Sequence, residues 1–155
     1  MNIMFFLTPK HQVSYLYHDQ TIAEGLESMQ EAGYTAIPLI SREGRYIGTV
    51  TEGDFLRALS NPNIWQQRDI MYMEQIERRV QNKPVRADAQ INDLLDTALH
   101  QNFVPVIDDR DCFVGIVTRQ RIMDYCISEI KKKAEKMQKQ EKVINAQKEL
   151  NRLWG

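Results

Sequence analysis

Two cysteines in 155 residues, with no Cys-x-x-Cys and no metal-ligand spacing between Cys112 and Cys126, leave neither a disulfide framework nor a zinc site in view. Both thiols are expected to be reduced and inert, which fits the cytosol. The three histidines, His11, His18 and His100, share no His-x-x-x-His spacing, and no carboxylate motif joins them, so a metal centre is not expected. The chain also lacks a nucleophile elbow, a Gly-x-x-x-x-Gly-Lys-Ser/Thr loop and a paired-carboxylate signature, so no catalytic device is legible. A formal net charge of −1 offers no global attraction for nucleic acid or an anionic membrane. Long apolar runs are missing as well. Met1–Leu7 is apolar, but it has no basic start and is cut short by Pro9 and Lys10. It is too short for a signal peptide or a bilayer span and is expected as a turn of helix packed on the domain.

What the chain has is an ordinary hydrophobic content of 43%, enough for a sizeable core, and an uneven charge. Residues 128–155 hold eight Lys/Arg and four Asp/Glu, whereas the other 127 residues hold twelve and seventeen. The body is therefore mildly acidic and the tail mildly basic. Above all, the chain contains a duplication. Ala36-Ile37-Pro38-Leu39-Ile40, a polar turn and Arg45-Tyr46-Ile47-Gly48-Thr49-Val50-Thr51 return as Phe103-Val104-Pro105-Val106-Ile107, a turn and Cys112-Phe113-Val114-Gly115-Ile116-Val117-Thr118. Pro38 and Pro105, Gly48 and Gly115, and Thr51 and Thr118 match at a constant offset of 67.

Each copy reads as a β-hairpin: an aliphatic run, four polar turn residues and a second apolar run. Because the runs are nearly all apolar, the strands are expected to be covered by helices. Glycine inside a strand lowers stability, so Gly48 and Gly115 predict close approach of another backbone or a ligand. Upstream, Ile22, Leu26, Met29 and Ala32 keep helical spacing, as do Ile91, Leu94, Leu95, Ala98 and Leu99. Thr21 and Glu24 suit a capping box. Short strands precede these helices at Val13–Leu16 and Pro84–Ala87, and a helix follows each hairpin. The expected fold is α/β (α+β): two pseudo-twofold-related β-α-β-β-α repeats sharing one core, plus a long C-terminal helix. Residues 4–60 form the first repeat, 61–72 a linker, 73–127 the second repeat, and 128–155 a helical extension; a short helix leading into the second copy is expected within Ile64–Val80.

Gly33-Tyr34-Thr35-Ala36-Ile37-Pro38, Tyr46 to Asp54, Asn102 to Val106 and Phe113 to Thr118 resemble the cystathionine-β-synthase (CBS) domain, present as a tandem pair, the Bateman module. The resemblance covers residues 4–127. It implies a module that is not a catalyst, with clefts for adenine-containing ligands between the repeats. It also implies a flat homodimer of two such modules. Carried onto this chain, it places nucleotide contacts at Ser14, Tyr15, Thr35, Ala36, Ile37, Pro38, Thr51 and Asp54 of the first repeat. In the second they fall at Val85, Phe103, Val104, Pro105, Thr118, Arg119, Gln120 and Arg121.

The chemistry is sound at these positions, though each has a plainer reading. A helix N-terminus offers unpaired N–H donors to a phosphate, and a carboxylate suits the two hydroxyls of a ribose. Thr51 and Asp54 fit these roles, but the same spacing fits a simple N-cap. Arg121 stands where the second copy would repeat that aspartate. With Arg119 it forms either a phosphate trap or a solvated basic face. Tyr15, Tyr34 and Phe103 can stack on purines or belong to the core. The glycine-tyrosine segment of the first copy and Thr118-Arg119 of the second resemble small stand-alone bacterial CBS proteins that bind cyclic di-AMP.

The expectation is a cytoplasmic, non-catalytic sensor that binds AMP, ATP or cyclic di-AMP, carries no catalytic cofactor or metal, and signals to a target protein. It is expected to contact neither nucleic acid nor membrane. The alternatives are a structural or dimerisation module with ligand-free clefts and, more remotely, a small enzyme. From Thr118 the chain can run as one helix to about Leu153, but Lys and Gln interrupt its heptad seam. That leaves either a solvated helix or one that docks on a sister subunit or target.

Overall fold

The computed structural model describes residues 2–155. The chain divides into two units, Met1–Arg119 and Gln120–Gly155. After a short helical turn at Ile3–Phe6, the first unit holds strands β1 (Thr8–Pro9) and β2 (Leu16–Tyr17), helix α1 (Ile22–Ala32), and strands β3 (Ala36–Ile40) and β4 (Tyr46–Thr51). Helices α2 (Glu52–Leu59) and α3 (Pro62–Gln66), strand β5 (Val85–Arg86), helix α4 (Ile91–Ala98), and strands β6 (Phe103–Ile107) and β7 (Phe113–Thr118) follow. Helix α5 (Arg119–Trp154) runs through the second unit. The expected β-α-β-β-α order appears twice, and the helix of 36 residues matches its expected extent.

The repeat is obeyed down to register. Ala36 faces Thr51 and Pro38 faces Thr49, while 67 residues on Phe103 faces Thr118 and Pro105 faces Ile116. Each hairpin shifts register at the same place, between Leu39 and Ile40 and between Val106 and Ile107. The two prolines sit mid-strand without breaking a ladder. The parallel strands β2 and β5 pair only from Leu39 and Val106 onward, so neither reaches the residue that lacks an N–H. Turn chemistry is conserved in kind and differs in residue: Ser41 Oγ accepts the Arg45 N–H at 3.1 Å, and Asp108 Oδ1 accepts the N–H groups of Arg110 and Cys112 at 2.8 and 2.9 Å. These two N–H bonds hold the Asp108 carboxyl below its usual value.

One strand has no counterpart. Strand β1 adds antiparallel to the outer edge of β7, giving a four-stranded sheet β1-β7-β6-β5 beside the three-stranded β2-β3-β4. Gly115 explains the close approach. Its φ is 155°, and a Cβ there would lie 2.2 Å from the carbonyl oxygen of Thr8. At Gly48 the neighbour is instead the Arg78 guanidinium.

Helix α1 begins in the expected capping box, with Thr21 and Glu24 exchanging bonds at 3.2 Å, and stops at left-handed Gly33. Its buried face, with Leu16, Ile37, Leu39, Val50, Phe55, Met73 and Ile76, forms the core of the first repeat. A second cluster joins the repeats: Val13, Ala36 and Ile40 pack with Phe103, Phe113 and Ile116. Backbone bonds tie the two turns together, from Phe113 N–H to the Gly44 carbonyl at 2.8 Å and from Tyr46 N–H to the Asp111 carbonyl at 3.2 Å.

Candidate functional site

The antiparallel registers bring the first residue of β3 and of β6 to the same end of their sheets as the last residue of β4 and β7. At that end a cleft of about 340 Å³ opens between the repeats. Val13, Ala36, Phe103 and Ile116, all members of the shared cluster, line it together with Thr8, Tyr34, Thr35, Asn102 and Thr118. The apolar wall is thus the inter-repeat core itself, while three threonines, an asparagine and a tyrosine supply polar groups. An apolar pocket with a few convergent polar groups is the usual form of a small-molecule site, and this volume lies at the small end of the common range.

Four of the expected contact residues meet here: Thr35, Ala36, Phe103 and Thr118. They come from different repeats, which no local spacing reveals. Ile37, Pro38, Val104 and Pro105 continue into the strands and are buried, and Val85 is 7% exposed in the ladder beside Val106. Ser14 donates its N–H to Tyr34 Oη at 3.4 Å. Tyr15 is occupied on several sides, edge-on to Tyr17 and Phe113 at 5.7 and 6.3 Å and under the Lys10 ammonium at 5.2 Å. Its phenol is pushed above the usual value by its hydrogen bond with Tyr17 and by burial.

Thr51 and Asp54 form a complete capping box on α2. Thr51 Oγ1 accepts the Asp54 N–H at 3.1 Å, and Asp54 Oδ2 accepts the Thr51 N–H at 2.9 Å. Asp54 Oδ1 accepts from the Arg57 guanidinium and, at 3.2 Å, from the Arg79 backbone N–H. The side chain is 3% exposed, so the carboxylate is held by protein donors and not presented to solvent. Arg119 is also engaged: its Nε and Nη2 donate to the Gln101 carbonyl at 3.1 and 2.6 Å. Gln101 in turn donates Nε2 to the Lys83 carbonyl at 3.2 Å, and its buried Oε1 has no protein partner. Gln120 and Arg121 stand in the first turn of α5 within the second unit.

Sequence reasoning missed Thr8, Val13, Gly33, Asn102 and Ile116 as lining residues. The first two arrive only because β1 adds to β7, for which a two-residue strand leaves no pattern. A larger groove of about 580 Å³ lies within the first repeat between α1 and α2, walled by Leu26, Met29, Phe55, Leu56 and Leu59. It is a helix–helix groove that also takes in Gln30, Tyr34, Glu52 and Ser60, and it lies wholly within one repeat, so size alone does not make it the ligand site.

The sequence pattern of the CBS domain matches residues 7–61 and 78–128. The chain belongs to the CBS domain family. A homoserine O-acetyltransferase of Methanohalophilus mahii is 32% identical over 110 residues, which cover 71% of this chain and 22% of that enzyme. An uncharacterized 17.7 kDa protein of Acidianus ambivalens is 31% identical over 100 residues, covering 63% of this chain and 57% of that protein. The chain therefore spans less than two thirds of the curated relatives it matches. Among solved structures, Listeria monocytogenes CbpB in complex with c-di-AMP superposes with a TM-score of 0.71 at 20% identity, covering 83% of this chain and 96% of that one. CBSX2 in complex with AMP gives 0.67 at 19% identity, covering 82% and 96%. These likenesses show the CBS-pair fold. Among the described residues no His/Cys/Asp/Glu group could hold a metal ion, and no helix is long and apolar enough to cross a membrane.

Proposed function

We propose that this CBS-pair chain is a non-catalytic regulatory module that binds an adenine nucleotide in the cleft walled by Ala36, Phe103 and Ile116. The observation that carries the reading is that one apolar slot, with Thr35, Asn102 and Thr118 around it, is assembled from both repeats. A flat purine suits such a slot, and a ligand touching both repeats can favour one relative arrangement of them. That differential affinity is what a signalling ligand requires. The CbpB and CBSX2 neighbours, solved with c-di-AMP and AMP, support the ligand class. A cleft of about 340 Å³ favours a mononucleotide within a single chain, and cyclic di-AMP would need additional space from a second copy. We also propose a cytoplasmic homodimer that passes the ligand state to a target protein; the α1–α2 groove, where Leu56 is 71% exposed, is a surface suited to the second copy.

A second reading, a structural module with empty clefts, is favoured by the full engagement of Asp54 and Arg119 in protein bonds. Calorimetric titration with AMP, ATP and cyclic di-AMP separates the two. The sensor reading expects saturable heat from at least one of them, weakened by substitution at Thr35 or Thr118. No heat from any of the three leaves the structural reading.

A further inference from the structure

Helix α5 carries an uncovered seam. Met123, Ile130, Met137 and Ile144 recur every seven residues, with Ile127 and Ala134 four places after the first two of them. The five large side chains of this row range from 46% (Ile127) to 68% (Met137) exposed. An apolar row with a seven-residue repeat is the pattern that a second helix covers. Helices in water are stabilised mainly by packing of such a face. The ion pairs Lys132–Glu129 at 3.5 Å and Arg152–Glu149 at 2.5 Å lie in solvent and contribute little. Farther along, the same row is polar at Glu141, Lys148 and Asn151. Val143, Leu150 and Leu153 fall on the opposite side of the helix and take no part in the seam.

The polar interruptions decide what fits. A parallel pair of α5 helices stacks Glu141 on Glu141 and Lys148 on Lys148 in the seam, where like charges repel. An antiparallel pair overlapping from Met123 to Gly155 instead sets Met137 across from Glu141, Ile130 from Lys148 and Ala134 from Ile144. Each charged seam residue then meets an apolar one, over which the lysine stem can lie. On the flanking rows Asp124 meets Arg152 at both ends, Gln138 and Gln140 each meet their own counterpart at the axis, and no like charges face each other. The guanidinium of Arg152 has donors for both Glu149 and Asp124. Sliding the pair by one heptad sets Asp124 against Asn145, or Lys131 against Arg152, and the ion pairs are lost. The helix is thus complementary to itself at one register. We propose that α5 pairs antiparallel with α5 of a second copy of this chain, in the register that joins Asp124 to Arg152. This contact is distinct from the α1–α2 groove and from the nucleotide cleft, whose lining residues all precede Arg119.

Direction is tested by crosslinking in the full chain with Cys112→Ser and Cys126→Ser. Gln138→Cys places two thiols beside the axis of the antiparallel pair, and mild oxidation should join two chains through them. Ala134→Cys, at a seam position whose thiols meet only in a parallel pair, should stay uncrosslinked. Register is tested by sedimentation equilibrium in the Leu56→Glu chain, which spoils the α1–α2 surface and so reads α5 alone. There Asp124→Arg and Arg152→Asp should each weaken self-association by about tenfold, and the double exchange should restore it. Thermal melting confirms that each variant is folded. Crosslinking of Ala134→Cys, none in Gln138→Cys, or a double exchange that does not restore association overturns the proposal. A monomeric Leu56→Glu chain overturns it too and leaves the seam to a partner of another sequence. Loss of the α1–α2 dimer, by contrast, shows as a fall in molar mass on Leu56→Glu with the crosslink at residue 138 intact.

Discussion

Asp54 Oδ1 accepts the backbone N–H of Arg79 at 3.2 Å, so the carboxylate at the start of α2 holds the chain that leads into the second repeat. Asp54→Ala strips acceptors from the Thr51 and Arg79 N–H groups and from Arg57 at a site that is 3% exposed. Denaturant unfolding should show a loss of about 2–3 kcal/mol. Nucleotide affinity should change less than about threefold in the folded protein. A tenfold loss of affinity at unchanged stability would instead assign this carboxylate to the ligand.

The two strand glycines should respond unequally. Gly115→Ala places a Cβ 2.2 Å from the Thr8 carbonyl and forces β1 from the edge of β7; it should cost about 2 kcal/mol or more and lower Tm by roughly 5 °C or more. Gly48→Ala meets only the Arg78 guanidinium, the far end of a flexible side chain, so it should cost under about 1 kcal/mol. Equal melting temperatures for the two variants would deny β1 its place on the sheet.

Burial pushes the Tyr46 phenol up to about 12 from its ordinary 10.0. A folded-state value above the unfolded one means stability that is whole below pH 10 and lost as pH rises toward 12. Tyr46→Phe should flatten that decline by an amount on the order of 2 kcal/mol, read as the difference between the two proteins' stability profiles over this range. Parallel profiles would place the phenol in water.

At the nucleotide cleft, Thr118→Val keeps volume and removes a hydroxyl, and it should weaken nucleotide binding by about five- to tenfold. Thr35→Leu, at an exposed rim position, should narrow the slot and weaken binding at least as much while leaving the fold intact. Titration of both variants with the same nucleotide decides, and undiminished affinity in both would move the ligand elsewhere.

A chain ending at Ser128 should keep the nucleotide affinity of the full chain within about threefold, because every residue lining the cleft lies in the first unit. Residues 129–155 also lie beyond the CBS match. Light scattering on the same truncation reads the role of α5: a fall in molar mass would make it an assembly element.

The duplication at an offset of 67 was legible because hairpins are local. Alternation, turn residues and proline placement fall within some sixteen residues, and the registers of β3–β4 and β6–β7 follow from them. The helices were equally legible from apolar spacing and from the Thr21–Glu24 capping box. The single motif that joins Thr51 to Asp54 was visible too, but its chemistry was ambiguous at that level. Cap and ligand site need the same hydroxyl, the same carboxylate and the same spacing. Only the third partner of the carboxylate, an N–H 25 residues away, weighs the balance toward the cap.

What the sequence by itself determined is the repeated scaffold, since each unit's elements are stabilised by contacts among residues close along the chain. What only the tertiary structure decided is the asymmetry laid over that scaffold. Strand β1 joins one sheet and not the other, Arg78 fills the corresponding approach at Gly48, and Thr35 and Ala36 meet Phe103 and Thr118 across the repeats. These relationships depend on which surfaces of the two repeats face each other. That choice is made by burying Val13, Ala36, Ile40, Phe103, Phe113 and Ile116 together, a sum over distant side chains that no local spacing encodes.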